Sequence, residues 1–169
     1  MSQNKDSQKP SSWILRELRM IAEYQFGLNF AEILIPEGIL ITRSKKTKKV
    51  REILFEDKRL ATIRPTDGYF AIGLDGAQRI IEMKKSPTRR VIVQTDVAEF
   101  IAEGRNVFAK HVVNADPAIR PEDEVVVVSE EDKLLAVGRA KMSAEYMLAF
   151  QRGTAVKVRY GNKKYLDKK

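Results

Sequence analysis

The second half of the chain alternates short strand-forming segments with turn residues, and this alternation limits the possible folds more than any other feature. Residues 125–128 are apolar without interruption, which predicts a strand buried on both faces. Residues 155–160 alternate strictly, which predicts a strand with Lys157 and Arg159 on its polar face. The predicted strands are 90–93, 107–113, 125–128, 134–139 and 155–160, and the predicted helices are 97–103 and 143–150. So many short elements within 80 residues are typical of a small, partly open β-barrel.

The first half predicts a separate α/β domain. Apolar residues recur every three or four positions from Trp13 to Phe26, which predicts an amphipathic helix that ends at Gly27. Trp13 lies on the apolar stripe, so we expect it to pack against the core rather than to stack on a base. Further elements are predicted as a short helix or turn at 28–35, strands at 39–43, 50–55, 60–63 and 69–72, and a helix at 77–83 after a break at Asp75-Gly76. The polar, proline-containing stretch 84–88 is the predicted domain boundary.

Charge predicts a polyanionic partner. The formal net charge is +8, and residues 1–90 hold 18 basic and 11 acidic residues against 13 and 12 in residues 91–169. A positive excess favours nucleic acids through long-range attraction, although solubility alone also explains it. The chain has no cysteine, which excludes disulfides, thiolate nucleophiles and cysteine-based zinc sites. The polar amino terminus and the lack of long apolar runs predict a cytoplasmic protein that is neither exported nor integral to a membrane.

Several ordered motifs of the second half resemble a PUA domain, the module named for pseudouridine synthases and archaeosine transglycosylases. The matching segments are 104–110, 116–121, 124–128, 135–140 and 153–159. The first half resembles the domain that precedes the PUA module in archaeosine tRNA-guanine transglycosylase, through the segments 24–27, 61–64 and 67–70. The expected fold is therefore α+β: a polar tail (1–12), a pre-PUA α/β domain (13–86), a PUA-like small mixed β-barrel (87–161) and a basic tail (162–169).

This resemblance implies RNA contact through the PUA surface in an archaeal-type cytoplasmic setting. The transglycosylase exchanges bases with a catalytic barrel and a zinc site, and the 169 residues contain neither. We therefore expect no enzymatic activity, no catalytic residue, no metal and no cofactor. The family also commonly has glycine in the first-half hairpin turn where this sequence has Lys48.

Candidate RNA-binding residues of the second half cluster in one loop and near strand ends. Gly104 follows a helix and can adopt a positive φ, so that Arg105 and Asn106 could approach a phosphate or a 2′-hydroxyl; a simple helix cap is the alternative. Lys110 shares its side of the predicted strand with Phe108, while His111 points the other way. The full set is Gly104, Arg105, Asn106, Lys110, Arg139, Lys141, Arg152, Lys157 and Arg159. Each strand cation taken singly could also be merely solvated.

A second candidate surface is a predicted hairpin with a basic tip. Six cations occur within nine residues: Arg43, Lys45, Lys46, Lys48, Lys49 and Arg51. Such a finger could lie along a phosphate backbone, and a solubilising loop is an equally good interpretation.

The acidic clusters 122–124 and 130–132 lack the spacing of a calcium loop, so we expect solvated turns rather than catalytic or metal-binding groups. His111, the single histidine, has no evident nucleophile or carboxylate partner and is expected to be structural.

These observations predict a non-catalytic RNA-binding protein, with tRNA as its expected ligand. Two alternatives remain open at this stage. The chain could be an accessory subunit that grips tRNA for a separately encoded modification enzyme, or an adaptor that binds a ribosomal subunit.

Overall fold

The structure is a computed structural model that describes residues 6–168. The chain divides into two compact units, Met1–Arg79 and Ile80–Lys169. Residues 1–5 of the expected polar tail and Lys169 of the expected basic tail lie outside the described residues. Among the helices that the structure describes, none combines the length and the apolar character needed to cross a membrane.

The first unit is a four-stranded antiparallel sheet with its strands in sequence order, accompanied by helices. Its elements are α1 (Ser12–Phe26), α2 (Phe30–Leu34), β1 (Leu40–Arg43), β2 (Val50–Phe55), β3 (Lys58–Ile63), β4 (Phe70–Ile72) and α3 (Leu74–Met83), whose last residues belong to the second unit. The helices and strands predicted for this half are confirmed in type and order, although one helix begins earlier than predicted. Part of the expected tail is also structured, because Gln8 exchanges two backbone hydrogen bonds with Ile41.

Helix α1 packs through a narrower stripe than the sequence predicted. Leu18, Ala22 and Phe26, four residues apart, are buried, and the Ser11 hydroxyl caps the helix. Trp13 is 71% exposed, so the predicted packing role of Trp13 is wrong. One helix face can touch the sheet at a time, and Trp13 lies on another face.

Helix α3 begins earlier than predicted. Gly76 does not break the helix but lies inside it, because a Cβ at this position would collide with the carbonyl oxygen of Leu60. The glycine therefore permits a close approach to β3 rather than a turn.

The second unit is built on a six-stranded mixed sheet, which forms a nearly closed barrel. Its strand order is β6-β10-β9-β8-β5-β7, and β5 pairs with β8 in parallel while the other pairs are antiparallel. The elements are β5 (Arg90–Val93), α4 (Ala98–Ala102), β6 (Val107–Phe108), β7 (Val112–Ala115), β8 (Glu124–Ser129), β9 (Leu134–Ala140), α5 (Ala144–Ala149) and β10 (Thr154–Gly161), with 3-10 helices at Thr95–Val97, Ala109–His111 and Lys163–Lys168. Residues 125–128 of β8 are buried, as predicted, Glu124 and Ser129 are buried as well, and the α+β class is confirmed.

The predicted continuous strand 107–113 is wrong. A 3-10 helix at Ala109–His111 interrupts it, buries Ala109 and leaves Lys110 exposed. The Ala109 amide donates to the Gly153 carbonyl oxygen (2.9 Å), so the residue that precedes β10 helps to hold this turn.

The strict alternation predicted for 155–160 also fails at one point. The register between β10 and β9 shifts between Val158 and Tyr160, and Tyr160 is 43% exposed. A bulge of this kind places consecutive side chains differently from a regular strand. The expected basic tail is in part packed against the barrel, because Asn162 hydrogen-bonds the backbone of β9 and Tyr165 contacts the core.

Candidate nucleic-acid interface

The basic hairpin forms as predicted between β1 and β2. The Ser44 amide donates to the Lys49 carbonyl oxygen and the Lys48 amide donates to the Ser44 carbonyl oxygen, both at 2.9 Å. The Arg43 guanidinium donates to the Lys48 carbonyl oxygen at 2.8 Å. Lys48 has a φ of 60°, in the left-handed region where glycine is favoured. The departure from glycine noted in the sequence therefore falls on a residue with positive φ.

The cations of this hairpin keep their charge exposed. The four lysines 45, 46, 48 and 49 and Arg51 are exposed, whereas Arg43 is half-buried. Within residues 6–168, none of the six lies within ion-pair distance of a carboxylate. The adjacent Glu52 is engaged elsewhere, because it accepts a hydrogen bond from Thr42 (3.0 Å) and pairs with Arg59 (3.4 Å). The hairpin is therefore a concentrated positive surface.

In the second unit, the loop after α4 approaches β10. Gly104 has a φ of 104°, as expected, and open space lies where its Cβ would be. The Asn106 side-chain oxygen accepts a hydrogen bond from the Val158 amide (3.0 Å), so this oxygen holds the loop to the strand. Arg105 projects with its side chain 70% exposed, over the Phe100 ring (5.3 Å) and 3.9 Å from Glu103.

Three more cations lie along the same edge of the barrel. β6 is the edge strand and pairs with β10, which carries Lys157, while Arg152 just precedes β10 and Lys110 just follows β6. The side chains of Lys110, Arg152 and Lys157 are exposed. In the part of the chain that the structure describes, none of the three forms an ion pair. Together with Arg105, they make a positive edge, which we call the β6/β10 edge.

Arg139, Lys141 and Arg159 behave differently, because carboxylates neutralise them. Arg159 binds both oxygens of Glu124, at 2.6 and 2.9 Å, and Glu124 is fully buried. Arg139 pairs with Glu122 at 3.1 Å and lies 3.9 Å from Glu124, and Lys141 pairs with Glu122. Hydrogen bonds from Lys141 and then Arg139 lower the pKa of Glu122 below its ordinary value of 4.5. Arg159 and Arg139 therefore compensate the buried charge of Glu124, and Lys141 is paired with an exposed glutamate.

The acidic clusters are only in part the solvated turns that the sequence predicted: Glu122, Glu130 and Glu131 are exposed in turns, whereas the other three carboxylates are engaged by partners. Glu124 is buried in β8, and Asp123 accepts from the Arg120 amide (2.9 Å) and pairs with Arg89. In the second cluster, Asp132 pairs at 2.7 Å with Arg90, which is fully buried. Glu130 accepts hydrogen bonds from the amide (3.0 Å) and hydroxyl (2.7 Å) of Thr95. Buried cations need such partners, and the sequence offered no local sign of them.

Two exposed aromatic groups were also missed. In the first unit Trp13, Met20 and Tyr24 are 71%, 65% and 80% exposed, and they line a hollow of about 380 Å³ together with Tyr69, whose ring stacks on Tyr24. In the second unit, Tyr146 stacks on Phe150 beside α5. The four-residue spacing of Tyr146 and Phe150 could have revealed the second group.

The structure also shows the surroundings of His111 and of the acidic residues that a metal site would require. The His111 Nδ1 lies 3.2 Å from the side-chain oxygen of Gln94, which is a structural contact between neighbouring segments. Over residues 6–168 no group of three or more histidine, aspartate or glutamate side chains is arranged to hold a metal ion.

Comparison with known families defines the class of protein. Residues 89–161 match the PUA domain, and residues 16–87 match the patch-forming domain C2 of tRNA-guanine transglycosylase. The chain is therefore a PUA-domain protein with a C2-type domain before the PUA domain. The resemblance of each half of the chain to its domain family is therefore confirmed.

The curated relatives narrow the class further. The tRNA-guanine(15) transglycosylase of Pyrococcus abyssi is 45% identical over 147 residues, which are 87% of this chain and 25% of the relative. That of Thermococcus kodakarensis is 43% identical over 158 residues, 93% of this chain and 27% of the relative. The chain thus spans about a quarter of the length of these relatives, and it corresponds to their C-terminal pre-PUA plus PUA region.

Solved structures agree with this assignment. A hypothetical protein from Pyrococcus horikoshii superposes with a TM-score of 0.74 and 26% identity, over 92% of this chain and 93% of that chain. A PUA-domain structure from Aeropyrum pernix superposes with a TM-score of 0.68 over 95% and 88%, and at 16% identity it shows the shared fold alone.

Proposed function

We propose that this chain binds structured RNA, with tRNA as its natural ligand, and that it performs no chemistry of its own. The relatives that it resembles are named for a reaction on tRNA, and the similarity lies in their C2 and PUA domains. Binding would use the β6/β10 edge and the basic hairpin as two phosphate-contacting surfaces.

The observation that carries this proposal is the contrast among cations of one barrel. Lys110, Arg152 and Lys157 are exposed and have no carboxylate partner within the described range, whereas Arg139 and Arg159 are paired with glutamates. An exposed cation without a partner can neutralise a phosphate and release its counterion, which drives binding. Because A-form RNA is recognised mainly by shape and phosphate contacts, such an edge suits a structured RNA.

The absence of chemistry is supported by the pairing of two carboxylates in the acidic clusters. Glu124 and Asp132 are held by arginines, and a carboxylate in such a pair is a poor general base. The test is an incubation of the pure protein with tRNA and labelled guanine. We expect no exchange, and exchange above the background of buffer alone would contradict the non-catalytic assignment.

Binding isotherms with tRNA test the interface itself. We expect the triple variant Lys110→Ala, Arg152→Ala, Lys157→Ala to bind tRNA at least about tenfold more weakly at physiological salt. The salt slope, which is the slope of log affinity against log salt concentration, should decrease in magnitude by about 2 to 3, because each lost phosphate contact removes roughly 0.7 to 0.9. The matched control is Lys141→Ala with Lys133→Ala, two lysines paired with Glu122 and Glu131, which should change affinity about twofold or less. Unchanged tRNA affinity in the triple variant would remove this edge from the interface.

A second candidate function is that of a tRNA-gripping subunit for a separately encoded transglycosylase. The apolar hollow formed by Trp13, Met20 and Tyr24 favours it, since exposed apolar patches mark protein interfaces. A purified tRNA-guanine transglycosylase catalytic domain should bind this chain in gel filtration. Trp13→Lys should abolish the complex, while Phe100→Lys, an exposed aromatic of the other unit, should not. Equal complex formation by both variants would exclude the hollow around Trp13 as the surface that binds the catalytic domain.

A further inference from the structure

Two aromatic rings form an exposed stack at the end of α5. The centroids of Tyr146 and Phe150 are 5.0 Å apart and their planes differ by 6°. The side chains are 51% and 48% exposed, although Ala144 and Met147 of the same helix are buried in the barrel core. The stack is therefore a flat apolar surface on a helix that is itself anchored.

Two exposed cations lie on segments next to the helix that carries this stack. Helix α5 packs against the 3-10 helix Ala109–His111, which carries Lys110, and Arg152 follows Phe150 by two residues. The hydrogen bond from the Ala109 amide to the Gly153 carbonyl oxygen brings these two segments together (2.9 Å). Lys110 and Arg152 are both exposed and, within residues 6–168, have no carboxylate partner.

We propose that the Tyr146–Phe150 stack binds an unpaired nucleobase of the RNA, with Lys110 and Arg152 on the adjoining phosphates. This inference rests on the proposed RNA binding and adds a site for a single-stranded nucleotide to it. A base offers a flat π-face of the same kind as the exposed rings, and stacking on an aromatic side chain tolerates any base. The cations next to the stack complement the phosphates on either side of such a base.

The experiment compares two RNA hairpins, one blunt and one with a single-stranded extension that contains 2-aminopurine. The wild-type chain should bind the extended RNA more tightly and quench its fluorescence. The double variant Tyr146→Leu, Phe150→Leu keeps apolar bulk but removes the rings. It should lose about tenfold in affinity for the extended RNA, lose the quenching, and keep its affinity for the blunt RNA.

Three further variants sharpen the result. Leu148→Ala removes an equally exposed side chain of the same helix (48%) and should behave as wild type. Tyr146→Phe keeps the ring and should also retain quenching. If circular dichroism shows that the double variant is unfolded, Phe150→Leu alone decides the question by the same readouts.

Two results would overturn the proposal in distinguishable ways. Wild-type quenching and affinity in the folded leucine variant, with blunt RNA still bound, would exclude the aromatic site while leaving RNA binding intact. No binding of either RNA by the wild-type chain would overturn both this site and the proposed function.

Discussion

The basic hairpin of the first unit and the strands of the second unit both carry candidate RNA-binding cations, but these cations have opposite electrostatic roles. In the hairpin, Lys45 to Lys49 extend from a turn held by backbone hydrogen bonds, and no carboxylate of the described residues lies within ion-pair distance. In the barrel, Arg139 and Arg159 converge on the buried Glu124. Cation count alone therefore does not identify a binding surface.

The physical difference between the two regions is solvation. A buried carboxylate is costly to desolvate unless cations and hydrogen bonds compensate it, so Glu124 requires its arginines. An exposed lysine in a hairpin is solvated by water, needs no compensating partner and can bind a phosphate. The two regions can be told apart by stability measurements on one and by binding measurements on the other.

The largest effect is expected from Glu124→Gln. Loss of the buried charge removes the carboxylate that pairs with Arg159, while Arg139 keeps its pair with Glu122, and we expect the free energy of unfolding to fall by about 3 kcal/mol in urea denaturation at pH 7. Glu103→Gln, which removes an exposed carboxylate 3.9 Å from Arg105, should change it by less than about 0.5 kcal/mol. Equal stabilities of the two variants would contradict the structural role of the barrel cations.

The hairpin should produce a comparable effect on binding and none on stability. Replacing Lys45, Lys46, Lys48 and Lys49 by alanine should weaken binding of every RNA by about a hundredfold at low salt and lower the salt slope by about 3. The control replaces four exposed lysines elsewhere, Lys58, Lys85, Lys163 and Lys164, and removes the same charge. If both quadruple variants lose affinity equally, the hairpin acts only through net charge.

Acid titration tests the pairing of Glu122 with Lys141 and Arg139. Because these partners lower the pKa of Glu122 in the folded state, the folded chain binds fewer protons than the unfolded chain between the two pKa values of this carboxyl. The stabilisation is therefore complete above the ordinary pKa and is lost as the pH falls through the folded-state pKa. The Tm of Glu122→Gln should lie below that of the wild type at pH 7 and approach it as the pH falls through the folded-state pKa. A constant difference across this range would show that the charge is irrelevant.

The smallest effect is expected from Lys48→Gly. Lys48 has a φ of 60°, and glycine adopts this region without steric cost, so we expect stability to rise by about 0.5 kcal/mol in thermal melts. Lys49→Gly removes the same charge from the next residue, which does not have a positive φ, and should lower stability. Opposite signs for the two variants would separate the turn geometry of the hairpin from its charge, and equal signs would show that geometry is unimportant here.

Much of the fold could be predicted from the sequence because it depends on local patterns. The hairpin between β1 and β2, the buried strand β8 and the helix α5 follow from segments of ten residues or so. The exposed cations of the hairpin could be predicted for the same reason, since a charged turn between two strands has little opportunity to become buried.

Features that depend on distant partners could not be predicted. The interruption of the strand after Phe108 depends on a hydrogen bond from Ala109 to Gly153, and the exposure of Trp13 depends on which face of α1 meets the sheet. Their sequence patterns are compatible with more than one packing.

What the sequence by itself determined is the pair of domains, the order of their elements and the presence of two cation-rich surfaces, because periodicity and turn residues act over short distances. What only the tertiary structure decided is which cations are available. Arg159 meets Glu124 across 35 positions of the chain, through strands that only the barrel brings together. Pairing at such separations is set by strand register and burial, and neither can be read from a single charged residue.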